Sequence, residues 1–178
     1  MKRAAVFLDR DGTLIEDCGF LGDPKQVKFF PETIPALHRL KDEFELFIVT
    51  NQRGVAEGVT SLADVNRVND HVVRVLQEAG ITIRAVYCCP HRREEGCECI
   101  KPKPFFLRQA EREHGIDLAR SFAIGDHPHD VELAANAGAR GIFVLTGHGT
   151  KHRDELPASC VVVPGIGEAA DYILQSLL

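Results

Sequence analysis

Three features that assign a chain to a special class are missing from this sequence. No apolar segment approaches the roughly 20 residues that cross a membrane, which excludes a transmembrane helix. No basic stripe stands out and the net charge is -5, which argues against a nucleic-acid partner. Repeats, low-complexity tracts and linkers are also missing. The 178 residues therefore predict one domain, 1–178, long enough to bury a substantial core.

The start of the chain resembles an export signal only over the charged residues Met1–Arg3. The apolar run that follows, Ala4–Leu8, is interrupted by Asp9, so we expect no export signal and a cytoplasmic protein.

Apolar segments of strand length alternate with segments of helical periodicity. This alternation predicts a Rossmann-like α/β fold, with a mainly parallel sheet in the middle of three α/β/α layers. The predicted strands are 4–8, 45–50, 85–88, 121–125, 141–145 and 160–163. The predicted helices are 34–41, 61–79, 105–114, 131–137 and 166–178. The clearest of them is 61–79, which Ser61 can cap and Gly80 can end.

The segment Asp9–Leu14 reads Asp-Arg-Asp-Gly-Thr-Leu and follows the first predicted strand. Ligands of an open α/β sheet bind at the carboxyl ends of its strands. One of these two carboxylates can attack a phosphorus atom while the other moves the leaving-group proton, and both can share a divalent cation. A calcium loop begins similarly, but it needs oxygen ligands further on, where Leu14 and Ile15 stand. The motif therefore favours phosphoryl transfer.

Three further features lie at later strand or helix ends: Thr50 ends the second predicted strand, Lys101 precedes a helix, and Asp126 ends the fourth strand. An aspartate, a threonine, a lysine and another aspartate in this order resemble the four motifs of the haloacid dehalogenase-like superfamily. The resemblance spans about 7–149, and as a set the motifs are highly specific.

Four soft ligands fall within eleven residues: Cys89, His91, Cys97 and Cys99. Three thiolates and one imidazole match a tetrahedral structural zinc site. Disulfides are a competing interpretation that a cytoplasmic location opposes, and unligated thiols or a redox pair are another. Because neighbouring strand residues point to opposite faces, only one of Cys88 and Cys89 should face the ion.

This zinc pattern just before Lys101, together with Thr-Asn-Gln after the second strand, narrows the resemblance to one family within the superfamily. It is similar to the family that contains the heptose 1,7-bisphosphate 7-phosphatases and the phosphatase domains of histidinol-phosphate phosphatases. The resemblance implies catalytic magnesium, structural zinc and no large cap domain. Only 38 residues separate Asp11 from Thr50 and 50 separate Thr50 from Lys101, too few for a full cap beyond the predicted helices. Residues 17–30 and the zinc loop would then shape the mouth of the site.

The resemblance also implies roles for the motif residues. Asp9 would be the nucleophile and would form an aspartyl-phosphate, and Asp11 would be the general acid and base. Thr50 would donate a hydrogen bond to the phosphoryl group, and Lys101 would neutralise its charge. Magnesium would be held by Asp9, the backbone carbonyl of Asp11, and Asp126. The implied substrate contacts are Asn51, Gln52 and Arg53.

Other polar residues near these motifs have two interpretations each. Asp130 either orients Lys101 or a metal-bound water, or simply caps a helix. His127 and His129 flank the aspartates, but magnesium prefers oxygen ligands, so we do not expect them to bind it. His148 and His152 either rim the site or lie in a solvated loop, and the loop is the interpretation we favour.

The chain departs from this family at positions that face substrate. Where the family has a serine and an arginine after the second strand, this chain has Arg53 and Glu57. The family's arginine before the motif lysine is replaced by Ile100, and its Gly-Met pair is replaced by Phe105-Phe106. The basic residue that the family has after the fourth-motif aspartate is replaced by His127. The second phosphate of a bisphosphate is best bound by forked arginine donors. These changes therefore weaken the case for a bisphosphate substrate.

We predict a magnesium-dependent phosphomonoester hydrolase that acts as a monomer on a small phosphorylated metabolite. Heptose 1,7-bisphosphate is the leading substrate, and histidinol phosphate or another small sugar phosphate is the alternative. A phosphotransferase or mutase would need a domain that binds an acceptor, and the chain has no residues left for one. A non-catalytic, zinc-stabilised binding module is the remaining alternative. The chain retains all the motif residues, which argues against this alternative because a non-catalytic scaffold does not need them.

Overall fold

A computed structural model describes residues 3–177 of the chain. Within them, one parallel sheet has the strand order β3-β2-β1-β4-β5-β6. The strands are β1 Ala5–Leu8, β2 Glu45–Asn51, β3 Ile83–Cys89, β4 Phe122–Gly125, β5 Arg140–Val144 and β6 Val161–Val163. The α-helices are α1 Thr33–Leu40, α2 Leu62–Glu78, α3 Phe105–His114, α4 Pro128–Ala137, α5 Gly149–His152 and α6 Ile166–Gln175. The predicted Rossmann-like α/β fold is confirmed, and residues 3–177 contain no large cap domain.

Differences from the predicted elements are confined to their ends and to one short helix. Helix α4 begins three residues early because His127 caps it and Pro128 occupies its first turn. Helix α6 ends at Gln175, and Leu178, the predicted last residue, lies outside the described residues, as do Met1 and Lys2 of the segment compared with an export signal. Helix α5 was not predicted, since four residues carry no apolar periodicity.

The short strand β1 lies at the centre of the sheet and separates two apolar cores. Ala5 and Phe7 pack into one core, which α3 and α4 cover. Val6 and Leu8 pack into the other, which α1, α2 and α6 cover. Alternate side chains of a strand point to opposite faces, so four consecutive apolar residues can be buried on both sides.

The chain changes direction across the sheet at β1. It leaves β1 for β2 and β3 on one side, then returns to pair β4 against the other side of β1. Such a reversal opens a crevice at the carboxyl ends of the two strands. The backbone N–H of Asp9 donates to the carbonyl of Ile124 at 2.9 Å, which fixes the end of β1 against β4.

No described helix is both long and apolar enough to cross a membrane.

Candidate active site

Three carboxylates converge in this crevice, and we call them the carboxylate cluster: Asp9 after β1, Asp126 after β4 and Asp130 in the first turn of α4. Each offers an oxygen, and these oxygens lie within 4.8 Å of one another. Gly12 passes close by with a φ of +84°, and a Cβ there would collide with the Asp126 carboxylate. Glycine is therefore required for both the turn and the close approach.

Lys101 neutralises part of this negative charge. Its Nζ donates to Asp9 Oδ1 and Asp130 Oδ1, each at 2.7 Å. Burial opposes the ammonium form, but the Asp130 and Asp9 carboxylates raise the pKa of Lys101 above its usual value. The other oxygen of Asp130 accepts the backbone N–H of His127 at 3.1 Å. Asp130 therefore makes both contacts that the sequence left as alternatives, one with Lys101 and one as a helix cap.

The remaining charge makes the crevice suitable for a cation. Burial, followed by repulsion from Asp9, raises the pKa of Asp126 to about 8. Burial likewise raises the pKa of Asp9 to about 6, although Lys101 opposes that change. A divalent cation between the two carboxylates would favour their ionised forms. An all-oxygen donor set is the one that magnesium prefers, so these residues fit that ion.

The Asp11 side chain points to a different set of partners. Arg10 donates to it through Nε and Nη2, each at 3.1 Å, and Gln52 Nε2 donates to it at 2.7 Å. Burial raises the pKa of Asp11, with Arg10 opposing the shift. The same Gln52 nitrogen lies 2.9 Å from Thr50 Oγ1. Gln52, predicted as a substrate contact, is thus engaged with two of the predicted catalytic residues.

Sequence reasoning missed the support behind Asp11. Arg10 is fully buried, and its Nη1 donates to Asn69 Oδ1 on α2 at 2.6 Å. The available signal was an asparagine next to the apolar face of α2, where Val68 and Val72 are buried. An amide in such a position needs a buried partner.

The four soft ligands also meet, and we call them the thiol cluster: Cys89, His91, Cys97 and Cys99. The Sγ atoms of Cys89 and Cys99 each lie 3.6 Å from that of Cys97, and the two Sγ atoms are 3.1 Å apart. His91 Nδ1 lies 3.4 Å from Cys99 Sγ and 3.7 Å from Cys89 Sγ. Four ligands around zinc at about 2.3 Å would be separated by about 3.8 Å, close to most of these distances. The residues fit a closed zinc site.

A cleft of about 690 Å³ opens above the carboxylate cluster. Asn51, Arg53 and Gln52, the predicted substrate contacts, all line it. His148 and His152 line it too, so they rim the site, and His148 does so from an exposed turn.

Imidazoles form one wall of this cleft. The ring of His127 lies 4.4 Å from that of His129 and 4.6 Å from that of His152, between centroids. Burial and the neighbouring imidazoles lower the pKa of His127 to about 4, which leaves it neutral at pH 7. His148 Nε2 pairs with Asp17 at 2.8 Å, which ties this side of the cleft to the segment after β1.

Known proteins resemble this chain in sequence and in fold. A model of haloacid dehalogenase-like hydrolases matches residues 23–135, and a second, HAD-hydrolase-like, matches residues 98–177. The chain belongs to the haloacid dehalogenase-like family. It is therefore a hydrolase, as the sequence predicted.

The relatives lie within the branch that the sequence resembles. The chain is 33% identical over 174 residues to D-glycero-beta-D-manno-heptose-1,7-bisphosphate 7-phosphatase of Bordetella bronchiseptica, covering 96% of this chain and 97% of that one. It is 34% identical to the Yersinia pestis protein of the same name, covering 97% and 90%. A crystal structure of the Bordetella phosphatase complexed with magnesium and phosphate superimposes with a TM-score of 0.89 and covers 97% of this chain and 99% of that one. The bifunctional histidine biosynthesis protein HisB of Actinobacillus pleuropneumoniae is 34% identical over 80% of this chain and 40% of that protein.

Proposed function

We propose that this protein is a magnesium-dependent phosphomonoester hydrolase that removes the 7-phosphate of D-glycero-D-manno-heptose 1,7-bisphosphate. The observation that carries the proposal is the Lys101 ammonium held 2.7 Å from both Asp9 and Asp130, with Asp126 beside them. A nucleophile, a counter-charge and a cation site are thus assembled in one crevice. The names of the Bordetella and Yersinia relatives support the choice of substrate.

In the first step, an Asp9 oxygen attacks the phosphorus and the bond to the sugar oxygen breaks. Asp11 gives its proton to that oxygen, so an alcohol leaves and an aspartyl-phosphate remains on Asp9. Lys101 and the Thr50 hydroxyl stabilise the charge on the transferring group. The raised pKa of Asp11 lets this carboxyl carry the proton at the start.

In the second step, Asp11 takes a proton from water, which attacks the aspartyl-phosphate. Inorganic phosphate leaves, Asp9 is restored as a carboxylate, and Asp11 is protonated again. Arg10 and Gln52 hold Asp11 in one orientation through both steps, since three donors fix its two oxygens.

Two metal ions belong to the proposal. Asp9, Asp126 and the backbone carbonyl of Asp11 would hold magnesium, which supplies electrostatic stabilisation of the phosphoryl oxygens. The thiol cluster would hold zinc, which fixes the loop that leads to Lys101. We also propose one domain within residues 1–178, a monomer, and a cytoplasmic location.

A phosphatase for monophosphates is the second candidate. Ile100 and Glu57 both line the cleft, and neither can bind a distal phosphate as an arginine would. Histidinol phosphate, with one phosphate and an uncharged or cationic body, suits such a surface.

The test is phosphate release with and without magnesium from heptose 1,7-bisphosphate, histidinol phosphate and common sugar monophosphates, with Asp9→Asn as the inactive control. Preference for the bisphosphate supports the first candidate, and turnover of monophosphates alone supports the second. No magnesium-dependent release from any substrate contradicts both.

A further inference from the structure

The zinc loop carries an arginine whose surroundings the proposed chemistry does not explain. Arg93 lies between His91 and Cys97, in a short 3-10 turn, and lines the cleft. Its Nη2 is 3.1 Å from each ring nitrogen of His129, so the guanidinium rests against that imidazole. The same nitrogen lies 3.4 Å from the backbone carbonyl oxygen of Lys101.

Arg93 differs from neighbouring arginines in having no counter-charge. Arg53 lies 3.6 Å from Glu57, and Arg92 lies 3.7 Å from Glu95. Arg93 makes no ion pair with any residue between 3 and 177, although Glu94 follows it in the chain. A guanidinium has five N–H donors, and the contacts to His129 and Lys101 occupy only one terminal nitrogen. The others remain available to a ligand.

Arg93 also lies close to the position where the family has an arginine and this chain has Ile100. Ile100 precedes Lys101 in the chain and lines the cleft, so it presents a methyl-bearing surface at that point. Arg93 reaches the backbone of the adjacent residue from across the loop. The Lys101 side chain extends from this backbone to Asp9, so it separates the Arg93 guanidinium from the reacting centre.

We propose that Arg93 binds the second, non-reacting phosphate of a sugar bisphosphate and thereby determines specificity for bisphosphates. This inference rests on the proposed function and assigns the distal phosphate to a residue of the zinc loop. His129 is a positioning residue that holds the guanidinium plane.

The experiment compares Arg93→Ala with wild type on heptose 1,7-bisphosphate and on a sugar monophosphate, with kcat and KM measured separately. Loss of a charge-assisted hydrogen bond to phosphate should raise the KM for the bisphosphate by about 10- to 100-fold. The ratio of the two kcat/KM values should fall by the same factor. Arg93→Lys should restore part of that loss, since it keeps the charge without the fork. Arg108→Ala is the matched control, because Arg108 lies on α3 outside the cleft lining and is paired with Glu111 at 3.1 Å.

A second measurement does not depend on turnover. Calorimetric titration of the bisphosphate into Asp9→Asn, with and without Arg93→Ala, reports binding directly. Weaker binding of the bisphosphate and unchanged binding of the monophosphate support the inference. An equal effect on both ligands, or none on either, overturns it and leaves the phosphatase proposal standing. If the wild-type protein releases no phosphate from any substrate, the proposed function is refuted instead, and the titration still decides the role of Arg93.

Discussion

The carboxylate cluster and the thiol cluster are linked by the short segment from Cys99 to Lys101, and they are built in opposite ways. The first uses oxygen donors at the ends of β1 and β4, in the middle of the sheet. The second uses sulfur and nitrogen donors from the end of β3 and the loop that follows, with three of its four residues only partly buried. Hard donors on a rigid sheet suit a catalytic magnesium ion, and soft donors on a short loop suit a structural zinc ion.

The two clusters also differ in what holds them in place. The carboxylate cluster is supported by a protein cation, Lys101, and by hydrogen bonds. In the thiol cluster, Lys103 Nζ supports only the backbone, donating to the carbonyls of Gly96 and Cys97 at 3.1 and 2.8 Å. No charged side chain among residues 3–177 pairs with the four ligand side chains, so these depend on one another and on an ion. We therefore expect catalysis to fail when the first cluster is changed, and the local fold to fail when the second is changed.

The largest effect is expected from Asp9→Asn. An amide cannot act as the nucleophile, so kcat should fall by about 10⁴-fold or more while the fold is retained. Steady-state kinetics and thermal unfolding check this, with Asp42→Asn on the surface as the control. An Asp9→Asn enzyme that still turns over would require another nucleophile.

Cys99→Ser should show the opposite pattern. Loss of one zinc ligand leaves an open site, which we expect to cost about 3 kcal/mol or more and to lower Tm by roughly 6–12 °C. Zinc content should fall, and trypsin should cut faster after Arg92 and Arg93. Cys18→Ser, at an exposed cysteine, is the matched control. Chelation that removes zinc without faster cleavage in this loop would show that the ion has no structural role.

Asn69→Ala tests how far the catalytic region depends on support from α2. The buried guanidinium of Arg10 loses its partner at 2.6 Å, which should cost about 1–3 kcal/mol. Because Arg10 orients Asp11, kcat should fall more than KM changes. Asn66→Ala, on the exposed side of the same helix, should change neither quantity. A drop in stability with unchanged kcat would limit Asn69 to a structural role.

The smallest effect is expected from Ser61→Ala, since Ser61 belongs to neither cluster and does not line the cleft. Ser61 caps α2 and forms a capping box with Asp64. Removing the cap should cost about 1 kcal/mol, or roughly 2–4 °C in Tm, without changing kcat. Ser61→Thr should restore most of the loss, because threonine keeps the hydroxyl that accepts the Asp64 N–H and donates to the Asp64 carboxylate. A change in kcat would show that α2 and the site are coupled through more than Asn69.

Most of the fold followed from local patterns. Apolar runs and periodic helices gave every strand and all the helices but α5, because burial on a sheet or under a helix imposes a period on the sequence. The start of α4 and the end of α6 were the least accurate boundaries, and at the start of α4 His127 and Asp130 form the cap from both sides. A cap formed by histidine has no strong sequence signature.

The site was only partly predictable. Motifs at strand ends pointed to Asp9 and Asp126, since strands of a parallel sheet end at one edge. The engagement of Gln52 with Asp11, the burial of Arg10 and the wall of imidazoles were not predictable. They depend on which residues of distant segments pack together, and no spacing encodes that.

The sequence by itself determined the family, the order of strands and helices, and the types of ligand in each cluster, because each of these depends on residue type and short-range spacing. Only the tertiary structure decided that Asn69 supports Arg10 across 59 residues, and that Arg93 rests on His129 across 36. Such contacts arise where a loop that follows one strand meets a helix from a distant part of the chain. Their geometry is set by the packing of the whole chain rather than by any local segment.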